Sequence, residues 1–135
     1  MAEHAFAEPV AMRSKRPFII VTRKLPDPIE TRMMELFACR LNLDDTPLAK
    51  PELIAAVQKA DVLVPTVTDR IDAEVLDASG PALKLIASFG TGVDHVDLPA
   101  AQRRGIIVES GAPVEFFMTK LFRSKLAKSG NAMIL

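Results

Sequence analysis

The chain has 135 residues, 49% of them hydrophobic and 25% charged, a balance that suits one globular domain with a real core and excludes a disordered polymer. Lys and Arg number 17 and Asp and Glu 17, so the formal net charge is zero and no whole-chain field draws nucleic acid or an anionic membrane as a partner. One cysteine, Cys39, excludes an internal disulfide, and with only His4 and His95 beside it the sequence offers no metal-ligand cluster; Cys39 reads as a buried structural thiol.

No apolar run approaches the roughly 18 residues of a membrane span. The opening MAEHAFAEPVAMRSKRP carries Glu3 and Glu8 and lacks the continuous apolar stretch of a secretory signal, so a cytoplasmic protein is expected. Residues 1–17 read as a flexible arm, with Arg13, Lys15 and Arg16 as a solvated charge run.

The apolar pattern then alternates between two periods. FIIVT at 18–22 is a short β-branched run of the kind buried on both faces of a parallel sheet. Pro26 and Pro28 break it, and Ile29, Met33, Leu36 and Phe37 recur at helical spacing, with Met33 and Met34 both assigned to the core or its margin. CRLNLDD at 39–45 reads as an edge strand, and Pro51 opens a helix that buries Leu53, Ile54 and Val57. DVLVPTV at 61–67 is a third strand. Asp72 caps a helix carrying Val75 and Leu76 that Gly80-Pro81 ends, and LKLIASF at 83–89 is a fourth strand. A helix from Asp97 to Arg104 has Pro99 in its first turn, and Ile106 to Val108 closes the series as a fifth strand. Strand and helix in such regular alternation predict an α/β fold: a five-stranded parallel sheet with right-handed crossovers and helices on both faces.

Ligands of such sheets bind beyond the carboxyl ends of the strands, where two loops are candidates, 65–68 and 89–94. The second holds Gly90 and Gly92 one residue apart. A dinucleotide fingerprint needs a third glycine three positions on, and His95 stands there, where an imidazole would crowd the helix–strand contact. The reading that remains is a sharp turn with amide N–H groups facing outward for a small anion. His95 is assigned to ordering the loop rather than to acid–base work, and Asp94 and Asp97 to loop and cap rather than to a carboxylate pair.

The order AEVLDASGPALKLIASFGTGVDHVDLPAAQRRGIIV resembles the D-isomer-specific 2-hydroxyacid dehydrogenases, particularly their glyoxylate and hydroxypyruvate reductase branch. The resemblance runs from about Arg16 to Val108. It implies a flavodoxin-like substrate-binding domain, residues 18–108, normally joined to a Rossmann domain that binds NAD or NADP. It also implies that the amides at Thr91 and Gly92 receive the carboxylate of a 2-oxo acid. The candidate substrate-binding residues are thus Val67, Thr91, Gly92 and Val93, with Gly90 and Asp94 shaping the loop. The expected ligand is a small 2-oxo or 2-hydroxy acid, held weakly, and the family forms homodimers. The family's catalytic arginine, glutamate and histidine, and its complete nicotinamide site, match nothing in this sequence, so no catalytic residue is assigned and the chain is expected to be inactive alone.

Beyond Val108 the family pattern is lost. From Phe116 the sequence carries Lys120, Arg123, Lys125 and Lys128 with no Asp or Glu, among Phe116, Phe117, Met118, Leu121, Phe122 and Leu126 at near-helical spacing. Residues 109–135 read as a basic amphipathic segment: a docking helix, a membrane-surface or partner helix, or appended non-family sequence, the origin favoured. The alternative to a dehydrogenase half is a stand-alone flavodoxin-like module that binds small anions or partners. A phosphotransfer receiver is disfavoured, because the first strand runs into Thr22-Arg23-Lys24 and Pro65-Thr66-Val67-Thr68 separates the third from Asp69.

Overall fold

The computed structural model describes residues 17–90 and 92–111. Five strands alternate with four helices in chain order: β1 (Phe18–Val21), α1 (Asp27–Leu36), β2 (Ala38–Arg40), α2 (Lys50–Lys59), β3 (Val62–Val64), α3 (Ala73–Asp77), β4 (Leu85–Phe89), α4 (Leu98–Arg103) and β5 (Ile107–Gly111). All pair in parallel, in the order β2-β1-β3-β4-β5, so the expected five-stranded parallel sheet is present.

Alternation along each strand divides the core into two layers. Ile19 and Val21 of β1, Val62 and Val64 of β3, and Leu85 and Ala87 of β4 point to one face, where Leu25, Ile29, Met33 and Phe37 cover them. Ile20, Leu63 and Ile86 point to the other, against Leu53 and Val57 of α2, Val75 and Leu76 of α3, and Ala100 and Ala101 of α4. Each fully buried Val, Leu, Ile or Met contributes about 1.5–3 kcal/mol by leaving water. With both faces covered, the central strands β1, β3 and β4 are almost wholly apolar, which is why their sequences are short runs rather than alternations.

Prolines and short polar residues set the helix starts. Pro28, Pro51 and Pro99 each occupy a first turn, where a missing N–H costs nothing. Asp72 accepts from Val75 N at 3.1 Å and Asp97 from Ala100 N at 3.0 Å, capping α3 and α4 as their positions predict. Glu52 takes the Ala49 amide at 2.8 Å ahead of α2. Gly80 sits so close to α2 that a Cβ on it would lie 2.4 Å from the Gln58 carbonyl oxygen.

Several expected boundaries move. Met34 is 53% exposed, not near-core, because it lies about 100° round the helix from the buried Met33. The 39–45 strand is only Ala38–Arg40: the Asn42 amide donates to the carbonyls of Thr22 and Thr46 at 2.8 and 2.7 Å, and Asp45 takes φ +58°, which turns the chain away. Cys39 is half-buried rather than buried, its Sγ donating to the Met33 carbonyl at 3.3 Å. β3 ends at Val64 because Pro65 has no N–H to continue the ladder. β5 runs to Gly111, three residues past the expected end at Val108. Residues 1–16 of the expected arm 1–17 and residues 112–135 of the expected amphipathic segment 109–135 lie outside the described residues; Pro17 is buried, and residues 109–111 lie in β5. Among the described residues no helix is long and apolar enough to cross a membrane.

Candidate functional site

Since every strand runs the same way, the segments after β1, β3 and β4 emerge at one edge of the sheet. The β4 segment is built on bare backbone. Gly90 has φ +117° and Gly92 φ +90°, conformations that a side chain strains. Gly92 is exposed, and nothing lies within 4 Å of where its Cβ would be. Val93 is half-buried and its carbonyl accepts from Val96 N at 3.0 Å, while Asp94 is exposed in the intervening turn. Thr91, expected to present one of the anion-binding amides, lies outside the described residues. Across from this loop stands Val67, 55% exposed, its Cγ1 3.8 Å from the Cβ position of Gly90. The structure therefore places Val67 beside Gly90.

Beneath these loops runs a belt of buried polar groups that sequence reasoning did not find. Thr22, at the end of β1, and Ser88, near the end of β4, are fully buried, and Asp69, after β3, is 6% exposed. One oxygen of Asp69, Oδ2, accepts from the Thr22 hydroxyl and from Thr66 N at 2.8 Å. Ser88 Oγ lies 2.9 Å from His95 Nε2. The only prior signal was that FIIVT and LIAS each end an apolar run on a hydroxyl residue, which equally suits an ordinary strand end.

His95 thus orders the loop, as expected of it. Burial pushes its basicity below the ordinary value of 6.5, against the attraction of Asp69 and Asp94, so the neutral imidazole is the form this site favours. Its carbonyl accepts from Ile71 N at 2.9 Å and Asp97 N returns a bond to Ile71 O at 2.9 Å, zipping the β3 and β4 segments together. Arg23, a cation at the same edge, is committed: Nε donates to Asp45 at 2.8 Å and Nη1 to Thr68 at 2.7 Å. Those bonds hold the Asp45 carboxyl below its usual range and the guanidinium above its own.

The arrangement can offer backbone N–H groups and an apolar wall to a small anion. Among the described residues this loop does not fit a nicotinamide dinucleotide. The position a third glycine would occupy is His95, turned onto Ser88, and the loop reaches α4 only after a further turn and bridge, so no helix N-terminus follows the glycines directly. Among the described residues no group of His, Cys, Asp and Glu could hold a metal ion. A surface cleft of about 460 Å³ lies elsewhere, between the end of β2 and α2, lined by Ile20, Arg40, Leu41, Leu43, Leu48 and Ala55 among others, and shares no residue with either loop.

The family model for the D-isomer specific 2-hydroxyacid dehydrogenase catalytic domain matches residues 19–112. A glyoxylate reductase of Thermofilum pendens is 39% identical over 94 residues, 69% of this chain and 27% of that protein. A glyoxylate reductase of Korarchaeum cryptofilum is 38% identical over 93 residues, 69% of this chain and 28% of the relative. The chain thus spans under a third of the curated relatives it matches. Among solved structures, a Polaromonas sp. JS6 66 protein assigned to the D-isomer specific, NAD-binding 2-hydroxyacid dehydrogenases superposes with a TM-score of 0.65 at 34% identity, over 69% of this chain and 29% of that one. The NAD+-bound 3-phosphoglycerate dehydrogenase of Entamoeba histolytica shares the fold, with a TM-score of 0.61 at 22% identity over 70% of this chain and 32% of its own.

Proposed function

Because this chain belongs to the D-isomer specific 2-hydroxyacid dehydrogenase family, we propose that residues 18–111 form the substrate-binding part of an oxidoreductase of the glyoxylate reductase type. The observation that carries this reading is the exposed backbone at Gly92, held at positive φ beyond the carboxyl end of β4. Its support from relatives is that the Thermofilum and Korarchaeum proteins are named glyoxylate reductases.

In this reading the amides of Thr91, Gly92 and Val93 donate to the carboxylate of a small 2-oxo acid, Gly90 and Asp94 shape the turn, and Val67 gives the ligand an apolar side. Reduction of the keto group needs a hydride from a nicotinamide, and no described residue is assigned to hold that cofactor or to supply the proton. A carboxylate that trades water for neutral amides gains only about 0.5–1.5 kcal/mol per bond. Dissociation constants of about millimolar or weaker follow. The 135-residue chain by itself does not turn over glyoxylate or hydroxypyruvate with NADH or NADPH.

The test is a glyoxylate titration of the labelled chain followed by amide chemical shifts. Gly90, Gly92 and Val93 move while the amides of Ile20, Leu63 and Ile86 stay in place. Shifts confined to Lys120–Lys128 would mean that the anion follows positive charge, and the loop assignment fails. Turnover well above a no-protein control would overturn the claim of inactivity.

A further inference from the structure

We propose that Asp69 is a positioning residue for this site, fixing where Val67 stands against Gly90 through the bonds its carboxylate takes from Thr22 and Thr66. The inference rests on the carboxylate-binding reading above and deepens it.

A carboxylate 6% exposed is an expensive group to bury, and it is retained without penalty only where its oxygens are well bonded. Among the described residues Asp69 makes no ion pair; Arg23 feels its charge only through space. Its bonds are instead hydrogen bonds that join two strand ends. The Thr22 hydroxyl reaches it from β1, 47 residues away in sequence, and the Thr66 amide from the first residue after Pro65.

An ordinary turn does not need this. Asp69 N already closes the turn onto the Thr66 carbonyl at 3.0 Å with backbone alone. What the carboxylate adds is a tie from that turn to β1. Thr66 in turn bridges Phe89, whose N donates to the Pro65 carbonyl at 2.8 Å, and the Thr66 and Thr68 hydroxyls meet at 2.8 Å. Val67 lies between those two threonines, with its Cγ1 3.8 Å from where a Cβ on Gly90 would stand. Both of its neighbours are therefore held by a network whose anchor is Asp69.

The experiment uses the labelled 135-residue chain as wild type, Thr22→Val, Thr22→Ser and Asp69→Ala. Two readouts are taken: the nuclear Overhauser contact between the Val67 methyls and the Gly90 α-protons without ligand, and the glyoxylate dissociation constant from the Gly92 and Val93 amides. Wild type and Thr22→Ser show the contact and bind alike, because serine keeps the donor. Thr22→Val and Asp69→Ala lose the contact and bind at least threefold more weakly. If Asp69→Ala does not fold, Thr22→Val decides alone, since it removes one hydroxyl and keeps the volume. A Thr22→Val chain with the wild-type contact and affinity overturns the proposal, as does a wild type without the contact. If the contact behaves as expected but glyoxylate moves no loop amide in wild type, the carboxylate reading fails and the positioning of Val67 stands.

Discussion

The segments after β3 and β4 stand side by side at one edge of the sheet, yet their shapes have opposite origins. The β3 segment is held by side chains: Asp69, Thr66 and Thr68 bond to one another, to Thr22 and to Arg23. The β4 segment takes its shape at Gly90 and Gly92 from the absence of side chains, and its return at His95 is anchored by one, onto Ser88. The difference says where each loop is vulnerable. A network fails through stability, because losing one member strands the others; bare backbone, in the carboxylate-binding role proposed above, fails through function, because any added atom would occupy the ligand's place.

The largest effect that tests this contrast is Asp69→Ala. It leaves the Thr22 hydroxyl and Thr66 amide without their acceptor in a buried setting and lowers stability by about 2–4 kcal/mol, read from urea unfolding. Gly90→Val comes next. A branched residue at φ +117° costs about 1–3 kcal/mol, with Val67 Cγ1 in ordinary contact at 3.8 Å from its Cβ position. Gly92→Val inverts the pattern: with open space around its Cβ position only the φ +90° strain of about 1–2 kcal/mol is felt. Its glyoxylate-induced amide shifts nevertheless vanish. A Gly92→Val chain that binds glyoxylate as wild type does would erase the distinction between the two loops.

The smallest effect is one of pH. Burial lowers the folded-state pKa of His95 below 6.5, so in the window between that lowered value and 6.5 the unfolded chain takes up the proton first. Stability is therefore whole above pH 6.5 and declines as pH falls through the folded pKa. Thermal midpoints measured from pH 7.5 down to 5 should fall less steeply in His95→Gln than in wild type. Parallel slopes would remove His95 from the account.

The element order was legible because burial on both faces turns the central strands β1, β3 and β4 into apolar runs, and because proline and aspartate mark helix starts by local chemistry. Strand ends were less so. The β2 strand stops early through Asn42, whose partner carbonyl on Thr22 lies 20 residues back, and β5 continues through Glu109 and Ser110, polar residues that give no apolar run to follow. In the site, the glycine pair announced itself, since φ of +117° and +90° strains a residue that carries a side chain. The Asp69 network did not. Its meaning depends on Thr22, 47 residues away, and a hydroxyl at the end of an apolar run looks the same whether it meets water or a carboxylate. Met34 misled for a simpler reason: it stands about 100° round α1 from Met33, off the buried stripe that Ile29 and Met33 form.

The pair of bonds that Ile71 makes with the β4 segment has a consequence in time. Ile71 and Asp97 lie outside the five strands, in stretches that would ordinarily exchange their amide hydrogens with solvent quickly. Each amide instead donates across to the neighbouring crossover, to the carbonyls of His95 and Ile71, so neither stretch can swing outward without releasing the other. In deuterated water those two hydrogens should persist on the schedule of β3 and β4, while the Gly92 amide is gone in the earliest spectra.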